Sequence, residues 1–324
     1  MKTTLKKLAG TLLFFSLLLL LLGAASAVFV PKDNSEKAGM EQVAANGILA
    51  EEENSIDLLM IGDSESHSAF TPMQMWKEQG IAAYVCGTSG QPMHLSLRFL
   101  EQALERQHPM VVVLETNTIF REYGYDEYLF SRLQKMFPVF QYHNRWKAMY
   151  WHDFGGRIAY TWKEDFKGYN FSVETNASDT QKHMNPSWKF QTMSRKNRMV
   201  LDRMHEICRE HGAALVLVST PSTINWNYAK HNTVALYAKE RGIAYLDLNM
   251  ADDFKCIDWK TDTRDKGDHL NYYGAVKVSS YLAGRLKQEY GLPDHRGDAA
   301  YRSWDQAFER YREVIEQATG KPVE

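Results

Sequence analysis

Cysteine is scarce in this sequence, and basic blocks and glycine-rich phosphate loops are missing from it. Cys86, Cys208 and Cys256 are too few among 324 residues for a disulfide framework, and their spacing matches no metal site. The formal net charge is −2 and no basic block stands out, which argues against nucleic acid as a partner. No Gly-x-Gly-x-x-Gly or P-loop motif follows any predicted strand, which disfavours nucleotide binding. We expect neither a cofactor nor a metal ion.

The amino terminus predicts export from the cytoplasm. Its first seven residues carry three lysines, Leu8–Leu22 is almost wholly apolar, and an Ala-x-Ala sequence ends at Ala27. This order is typical of a secretory signal peptide that is cleaved after Ala27. The uncharged stretch Leu8–Val30 is also long enough to remain as a membrane anchor. Either interpretation of residues 1–30 places the remainder outside the cytoplasm, with the polar residues 31–54 as a stalk.

Short apolar runs that alternate with helical patterns predict an α/β fold. Five of these runs have the length and composition of buried strands: Ile56–Met60, Ile81–Cys86, Pro109–Leu114, Ala213–Ser219 and Ile243–Leu248. Strands separated by helices form a parallel sheet that is covered by helices on both faces. We expect this domain to span residues 55–292. A charged extension with one further helix follows in residues 293–324.

Residues 119–196 interrupt this alternation. The stretch is rich in Tyr, Trp, Phe and His, and it is long for a connection inside a compact domain. We interpret it as an insertion that forms a cap or a substrate groove. Aromatic side chains with scattered polar groups suit the faces of carbohydrates, and they equally suit the core of a subdomain. Of these two roles we favour the core.

Polar residues follow the predicted strands where chemistry would need them. Ser64 comes after the first strand, Gly87–Gly90 after the second, Asn117 after the third, and Asp265–Asn271 after the fifth. The carboxyl ends of parallel strands share one edge of the sheet, so these residues can converge there. A serine nucleophile needs a base and an acid that orients the base. His269 and its neighbouring carboxylates supply both.

Together these residues resemble the sequence blocks of the SGNH (GDSL) hydrolase family. Gly62-Asp63-Ser64 looks like the first block, which makes Ser64 the nucleophile. Gly87 or Gly90 would be the glycine of the second block and Asn117 the asparagine of the third. These would form the oxyanion hole together with the Ser64 amide. His269 would be the base of the last block.

The resemblance covers roughly residues 56–118 and 213–290 and leaves the aromatic insertion outside it. It implies a three-layer, flavodoxin-like fold around a parallel sheet of about five strands. The membrane-proximal amino terminus and the sequence His269-Leu270-Asn271 look most like the extracytoplasmic bacterial branch. That branch includes proteins that resemble acyltransferases and D-alanyl-transfer proteins of the cell envelope.

Two departures from the family pattern concern the third block and the acid. The third block reads Glu115-Thr116-Asn117-Thr118 instead of Gly-x-Asn-Asp. The family's acid lies three residues before the histidine, and that position here is Lys266. We favour Asp265 as the acid, because a one-residue insertion at Gly267 would let it curl back to the imidazole. Asp268 is the second candidate.

These observations predict an extracytoplasmic serine esterase or O-acyltransferase that works through an acyl-Ser64 intermediate. The expected substrate is an acylated carbohydrate or another ester, and a membrane-bound O-acyltransferase is a candidate partner. The alternative is an SGNH-fold subunit that binds or assembles an envelope complex without catalysis. We expect His67, three residues beyond Ser64, to be solvated or to cap a helix.

Overall fold

The computed structural model describes residues 2–252 and 254–323, and the chain forms two compact units. The first, which we call the helical unit, comprises residues 1–43 and 123–162. The second, which we call the sheet unit, comprises residues 44–122 and 163–324.

The strands and helices of the described residues are numbered in chain order. The strands are β1 (Leu58–Gly62), β2 (Ala83–Gly87), β3 (Val111–Glu115), β4 (Ala214–Ser219) and β5 (Ala244–Asp247). The helices are α1 (Lys2–Phe29), α2 (Val43–Asn46), α3 (Ser64–Ala69), α4 (Pro72–Gln79), α5 (Met93–Ala103), α6 (Tyr125–Met136), α7 (Val139–Tyr142), α8 (Arg195–Glu210), α9 (Tyr228–Arg241), α10 (Tyr272–Tyr290) and α11 (Arg302–Thr319).

The sheet unit confirms the predicted α/β fold. Its five strands are all parallel and lie in the order β2-β1-β3-β4-β5. Each predicted strand is present, displaced by no more than a few residues. The chain moves outward from β1 to β2 and then crosses to the other side of β1 to begin β3. The switch in direction therefore lies between β1 and β3, where open α/β sheets leave a crevice beyond the strand ends.

Helices cover both faces of the sheet because the strands are apolar on both sides. On one face, Met60 and Val113 pack with Val278 and Leu282 of α10 in a fully buried cluster. Helices α3 and α4 complete this layer, and α11 packs outside α4. On the other face α5 and α8 pack against each other and against the sheet. The result is the three-layer arrangement that the sequence predicted.

The helical unit is built around α1. This helix is long and apolar enough to cross a membrane, by length and composition, over Thr4–Phe29. Its end packs against α7 and against the 3-10 turns His143–Ala148 and Trp151–Phe154. Helix α6 packs on α7.

The aromatic insertion is divided between the two units. Residues 123–162 belong to the helical unit and residues 163–196 to the sheet unit. In the sheet unit, the Lys167 carbonyl accepts a hydrogen bond from the Val85 amide at 2.9 Å, beside edge strand β2. The sequence did not predict this division, because both parts are similarly rich in aromatic residues.

The predicted stalk of residues 31–54 differs from an extended linker. Its second half folds onto the sheet unit, where Ala45 and Ile48 are buried. Glu51 forms a buried ion pair with Lys167 at 2.6 Å, and the Lys167 ammonium lies 4.7 Å from the centre of the Trp304 ring. The acidic residues of this segment suggested a solvated stalk, but one of them, Glu51, is the partner of a buried lysine 116 residues away.

Replacing Lys167 by Met should destabilise the chain by about 3–5 kcal/mol, because it leaves the Glu51 carboxylate buried without its counter-charge. The matched control is Lys163→Met. Lys163 pairs with Glu52 at 3.5 Å on the surface, and its loss should cost about 1 kcal/mol or less. Urea unfolding of the full chain in detergent measures both values. Equal losses in the two variants would contradict a structural role for the buried pair.

Candidate active site

The turn that carries Ser64 lies at the end of β1, beside the switch point of the sheet. Asp63 has extended backbone and caps α3, accepting a hydrogen bond from the Glu65 amide at 3.0 Å. Ser64 is the first residue of α3 and is largely buried. A Cβ atom on Gly62 would lie 2.6 Å from Cβ of Glu115 at the end of β3. Only glycine therefore allows the two strand ends to approach so closely.

The loop that carries His269 brings Asp265 to the imidazole ring. The Asp265 carboxylate accepts from the His269 amide and from Nδ1, each at 2.6 Å. Asp268 Oδ2 is 3.8 Å from the same Nδ1 atom, beyond hydrogen-bond distance. The geometry thus selects Asp265 over Asp268 as the group that orients the ring.

Two consecutive residues with positive φ make this loop possible. Lys266 has φ 64° and Gly267 has φ 91°. A Cβ atom on Gly267 would overlap the side chains of Thr223 and Ser178, so the position requires glycine. The Gly267 carbonyl accepts from the Thr223 amide at 3.0 Å, which fixes the loop to the segment after β4. The turn at Lys266 and Gly267 accommodates the extra residue between Asp265 and His269.

The other ring nitrogen of His269 is available for proton transfer. His269 Nε2 is buried and has no hydrogen-bond partner, so no hydrogen bond joins it to Ser64 Oγ. Contacts between a serine and its base are often long without substrate and shorten when substrate binds. The hydrogen bond between Asp265 and His269 is therefore present, whereas the hydrogen bond between His269 and Ser64 that a triad would need is absent.

The side chain of Asn117 is held at both ends. Its Nδ2 donates to the fully buried Asp63 carboxylate at 2.8 Å, and its Oδ1 accepts from Lys230 Nζ at 2.8 Å. Arg121 also binds Asp63, with Nε 2.8 Å from Oδ2. Because only one amide hydrogen of Asn117 is used, the other can still serve an oxyanion.

The two candidate glycines of the second block lie in different surroundings. Gly87 ends β2 opposite Gly62, and a Cβ atom there would overlap Ser66 Oγ and lie 3.2 Å from Cβ of His67. Gly90 lies in an exposed turn with φ 62°, and no atom comes within 4 Å of its Cβ position. Gly87 is therefore the glycine that contacts the helix of the nucleophile.

Sequence reasoning missed Glu65, the residue after the nucleophile. Its carboxyl is buried, Oε1 accepts from Asn225 at 2.6 Å, and Oε2 has no hydrogen-bond partner. Burial raises the pKa of Glu65 well above its ordinary value, and the nearby carboxylates of Asp63 and Glu115 raise it further. This shift favours the protonated carboxyl, which can donate a hydrogen bond.

Glu65, Asp268 and His269 each place one possible ligand atom within 4.8 Å of the others. In the part of the chain that the structure describes, this is the one grouping of three such residues. Asn225 joins two of them, because its Nδ2 also donates to Asp268. These three side chains can equally form a proton-transfer site around His269, whose Nδ1 atom is hydrogen-bonded to Asp265.

His67 lies inside the site region, contrary to the solvated position that we expected from sequence. The side chain is buried, and its main-chain carbonyl accepts from the Asn170 amide at 2.7 Å. Burial lowers the pKa of His67 to about 4, and the positive charges of Arg264 and His269 act in the same direction. His67 is therefore neutral at physiological pH.

Arg121, Lys230 and Asn225 had no signal in the sequence. Each lies in a loop or at the start of a helix, without a motif. They became visible only when the fold placed them around Asp63, Asn117 and Glu65.

Comparison with known proteins gives likenesses of fold. No protein-family model and no curated protein matches the chain. Similar solved structures include a GDSL-like lipase from Bacteroides thetaiotaomicron, with 11% identity, a TM-score of 0.39, and coverage of 76% of this chain and 98% of that one.

Two further structures are enzymes that act on esters according to their names. A lipase/acylhydrolase from Enterococcus faecalis shares 11% identity over 74% of this chain and 99% of that one, with a TM-score of 0.28. An acetyl xylan esterase from Butyrivibrio proteoclasticus shares 10% identity over 74% of this chain and 66% of that one, with a TM-score of 0.34.

Asp265→Asn should lower kcat for ester hydrolysis by roughly 10³–10⁴-fold, because the amide cannot stabilise the imidazolium or hold the correct tautomer. Asp268→Asn is the matched control, since its carboxylate lies 3.8 Å from the same nitrogen. We expect that control to retain most of the activity. Steady-state turnover of p-nitrophenyl acetate measures both, and a larger loss in Asp268→Asn would reverse the assignment.

Glu65→Gln should change how stability depends on pH. The folded-state pKa of Glu65 lies above its value in the unfolded chain, so its contribution is complete below the unfolded pKa, about 4.5, and is lost as pH rises towards the folded pKa. That loss proceeds at up to about 1.4 kcal/mol per pH unit. The glutamine variant should lose stability less steeply as pH rises above about 4.5.

Chemical denaturation at a series of pH values tests this dependence. The control is Glu105→Gln at an exposed position of the sheet unit, which should follow the unmodified chain. Identical slopes for Glu65→Gln and the unmodified chain would mean that Glu65 is already ionised in the folded state.

Proposed function

We propose that this chain is a serine esterase or O-acyltransferase of the SGNH type that works outside the cytoplasm through an acyl-Ser64 intermediate. The observation that carries the proposal is the Asp265–His269 pair. Its free Nε2 atom is buried, and the pair lies at the same edge of the parallel sheet as the turn that holds Ser64. His269 as the base and Asp265 as the orienting acid are thus already paired near the strand end that Ser64 follows.

In the first half-reaction, His269 Nε2 takes the proton of Ser64 while Oγ attacks the carbonyl carbon of the ester. The oxygen of the tetrahedral intermediate would accept hydrogen bonds from the Ser64 amide, a second-block glycine and Asn117. Cleavage of the carbon–oxygen bond releases the alcohol, which receives the proton from His269. Asp265 stabilises the imidazolium throughout.

In the second half-reaction, an acceptor hydroxyl attacks the acyl-enzyme. His269 removes its proton, and the bond to Oγ breaks, which returns the proton to Ser64. Water as acceptor gives an esterase, and a sugar hydroxyl gives an acyltransferase. Which acceptor is used depends on how far bound substrate excludes water.

Two features of the chain support a polysaccharide acceptor outside the cytoplasm. The apolar α1 would export and hold the chain at a membrane. A hollow of about 300 Å³ in the sheet unit is lined by Trp188, Phe190 and Tyr228, and aromatic faces of this kind suit sugar rings. Tyr228 begins α9, the helix whose Lys230 binds Asn117. A membrane-bound O-acyltransferase would be a suitable partner.

A second candidate is a binding or assembly subunit without catalysis. It is favoured by the missing hydrogen bond between Ser64 Oγ and His269 Nε2, and by an Asn117 side chain that is engaged at both ends. In that case the fold would present its polar edge to a partner, and the Asp265–His269 pair would be structural.

The full chain should release p-nitrophenol from p-nitrophenyl acetate in a burst close to one equivalent if deacylation is slow. Mass spectrometry should then find one acetyl group on Ser64. Ser64→Ala should abolish the mark, and His269→Ala should slow its formation at least about 10³-fold. Adding acceptor oligosaccharides distinguishes transfer, which yields acetylated sugar, from hydrolysis.

The matched control for the base is His231→Ala. His231 forms another His–Asp pair, with Nδ1 2.7 Å from Asp247 Oδ2 at the end of β5, so it tests whether any such pair matters. That variant should acylate normally. Folded protein that forms no adduct with small acyl esters, with Ser64→Ala indistinguishable from it, would favour the binding subunit.

A further inference from the structure

The helical unit carries exposed apolar side chains next to the end of α1. Residues 4–21 of α1 are exposed along their whole length, and only the last turns of the helix pack against protein. In 26 residues the apolar helix extends for about 39 Å, more than the thickness of a bilayer core. A bilayer around residues 4–21 would thus end near the turns that hold the helix.

Polar contacts fix the carboxyl end of α1 to the segment 139–154. The Val139 amide donates to Ser26 Oγ at 3.3 Å, and Arg145 donates to the Phe29 carbonyl at 2.6 Å. Arg145 also pairs with the buried Asp153 at 2.8 Å. The predicted cleavage site after Ala27 therefore lies within a helix that is bonded to the rest of its unit.

The turns that make these contacts expose large aromatic rings. Trp151 is 92% exposed, and Trp146, Tyr150 and Phe154 are each more than 60% exposed. Trp and Tyr are the side chains enriched where a membrane-spanning helix leaves the hydrocarbon, because their rings are apolar and their N–H or O–H groups stay hydrated. Their position beside the end of α1 matches that region.

Helix α6 adds an apolar stripe to the same unit. Leu129, Leu133 and Met136 lie at helical spacing and are all exposed. Asp126 precedes them on the same face in the first turn, whereas Glu127 and Lys135 lie on other sides of the helix. A helix with such a stripe and a charged remainder is typical of segments that lie in the plane of a membrane interface. A water-exposed surface of this kind is unusual in a protein that has no partner for it.

We infer that these residues of α6 and of the turns 143–154 form a membrane-contact surface that lies in the lipid headgroup region beside α1. The inference rests on the proposed retention of α1 as a membrane anchor. Continuity with an apolar helix identifies lipid as the occupant. The surface would hold the helical unit against the bilayer instead of leaving it free on a tether.

The test uses the full chain in nanodiscs of phosphatidylcholine brominated at shallow acyl positions, which quench nearby tryptophan. The double variant Trp146→Phe/Trp151→Phe keeps apolar rings at both positions and should lose roughly half or more of the lipid-dependent quenching. The matched control is Trp188→Phe. Trp188 is 98% exposed but belongs to the sheet unit, and its removal should leave lipid-dependent quenching unchanged.

Three results would overturn the inference. One is unchanged lipid quenching in the double variant, and another is a chain that elutes apart from the nanodiscs because α1 has been removed. The third is a dimer in which Trp146 and Trp151 are shielded from the brominated lipid, which would make a second copy the occupant. The acetyl mark on Ser64, measured on the same sample, reports the proposed catalysis separately from membrane contact.

Discussion

The buried carboxylate of Asp63 is the group on which the site depends. It has no exposed surface, so it must be satisfied by donors inside the protein, and it receives them from the Glu65 amide, Asn117 and Arg121. These donors come from the turn after β1 and the turn after β3. One carboxylate thereby ties the turn of Ser64 to the turn after β3 across the switch point of the sheet, and displacing either turn would remove part of its hydrogen bonding.

Several acidic groups surround His269, and burial shifts the pKa of some of them. Burial raises the pKa of both Glu65 and Glu115, whereas Lys230, whose pKa is lowered by its own burial, lies close to both. The raised pKa of Glu65 weakens its competition with Asp265 for the imidazole. The site can therefore hold several carboxyl groups close together while one of them orients the base, which is the arrangement that proton transfer needs.

The aromatic insertion serves two parts of the molecule. Residues 163–196 border the His269 loop, where the Asn176 amide donates to the Thr263 carbonyl at 2.9 Å, and the Lys266 amide donates to the Asn176 carbonyl at 3.2 Å. Residues 123–162 pack with α1 instead. Aromatic composition is common to both because rings suit a subdomain core, a sugar-binding hollow and a membrane interface alike, so composition alone could not separate these roles.

The sequence by itself determined the α/β fold, because each strand is an unbroken apolar run and each helix has its own spacing and stop. It also determined Ser64 and Asn117 as candidates, since each follows a strand by two residues, and His269, since its segment resembles the last block of a known family. Only the tertiary structure decided between Asp265 and Asp268, because the choice depends on two positive φ angles at Lys266 and Gly267. Likewise Arg121, Lys230 and the raised pKa of Glu65 emerged only from the fold, since burial and the convergence of distant charges are not local properties of a chain.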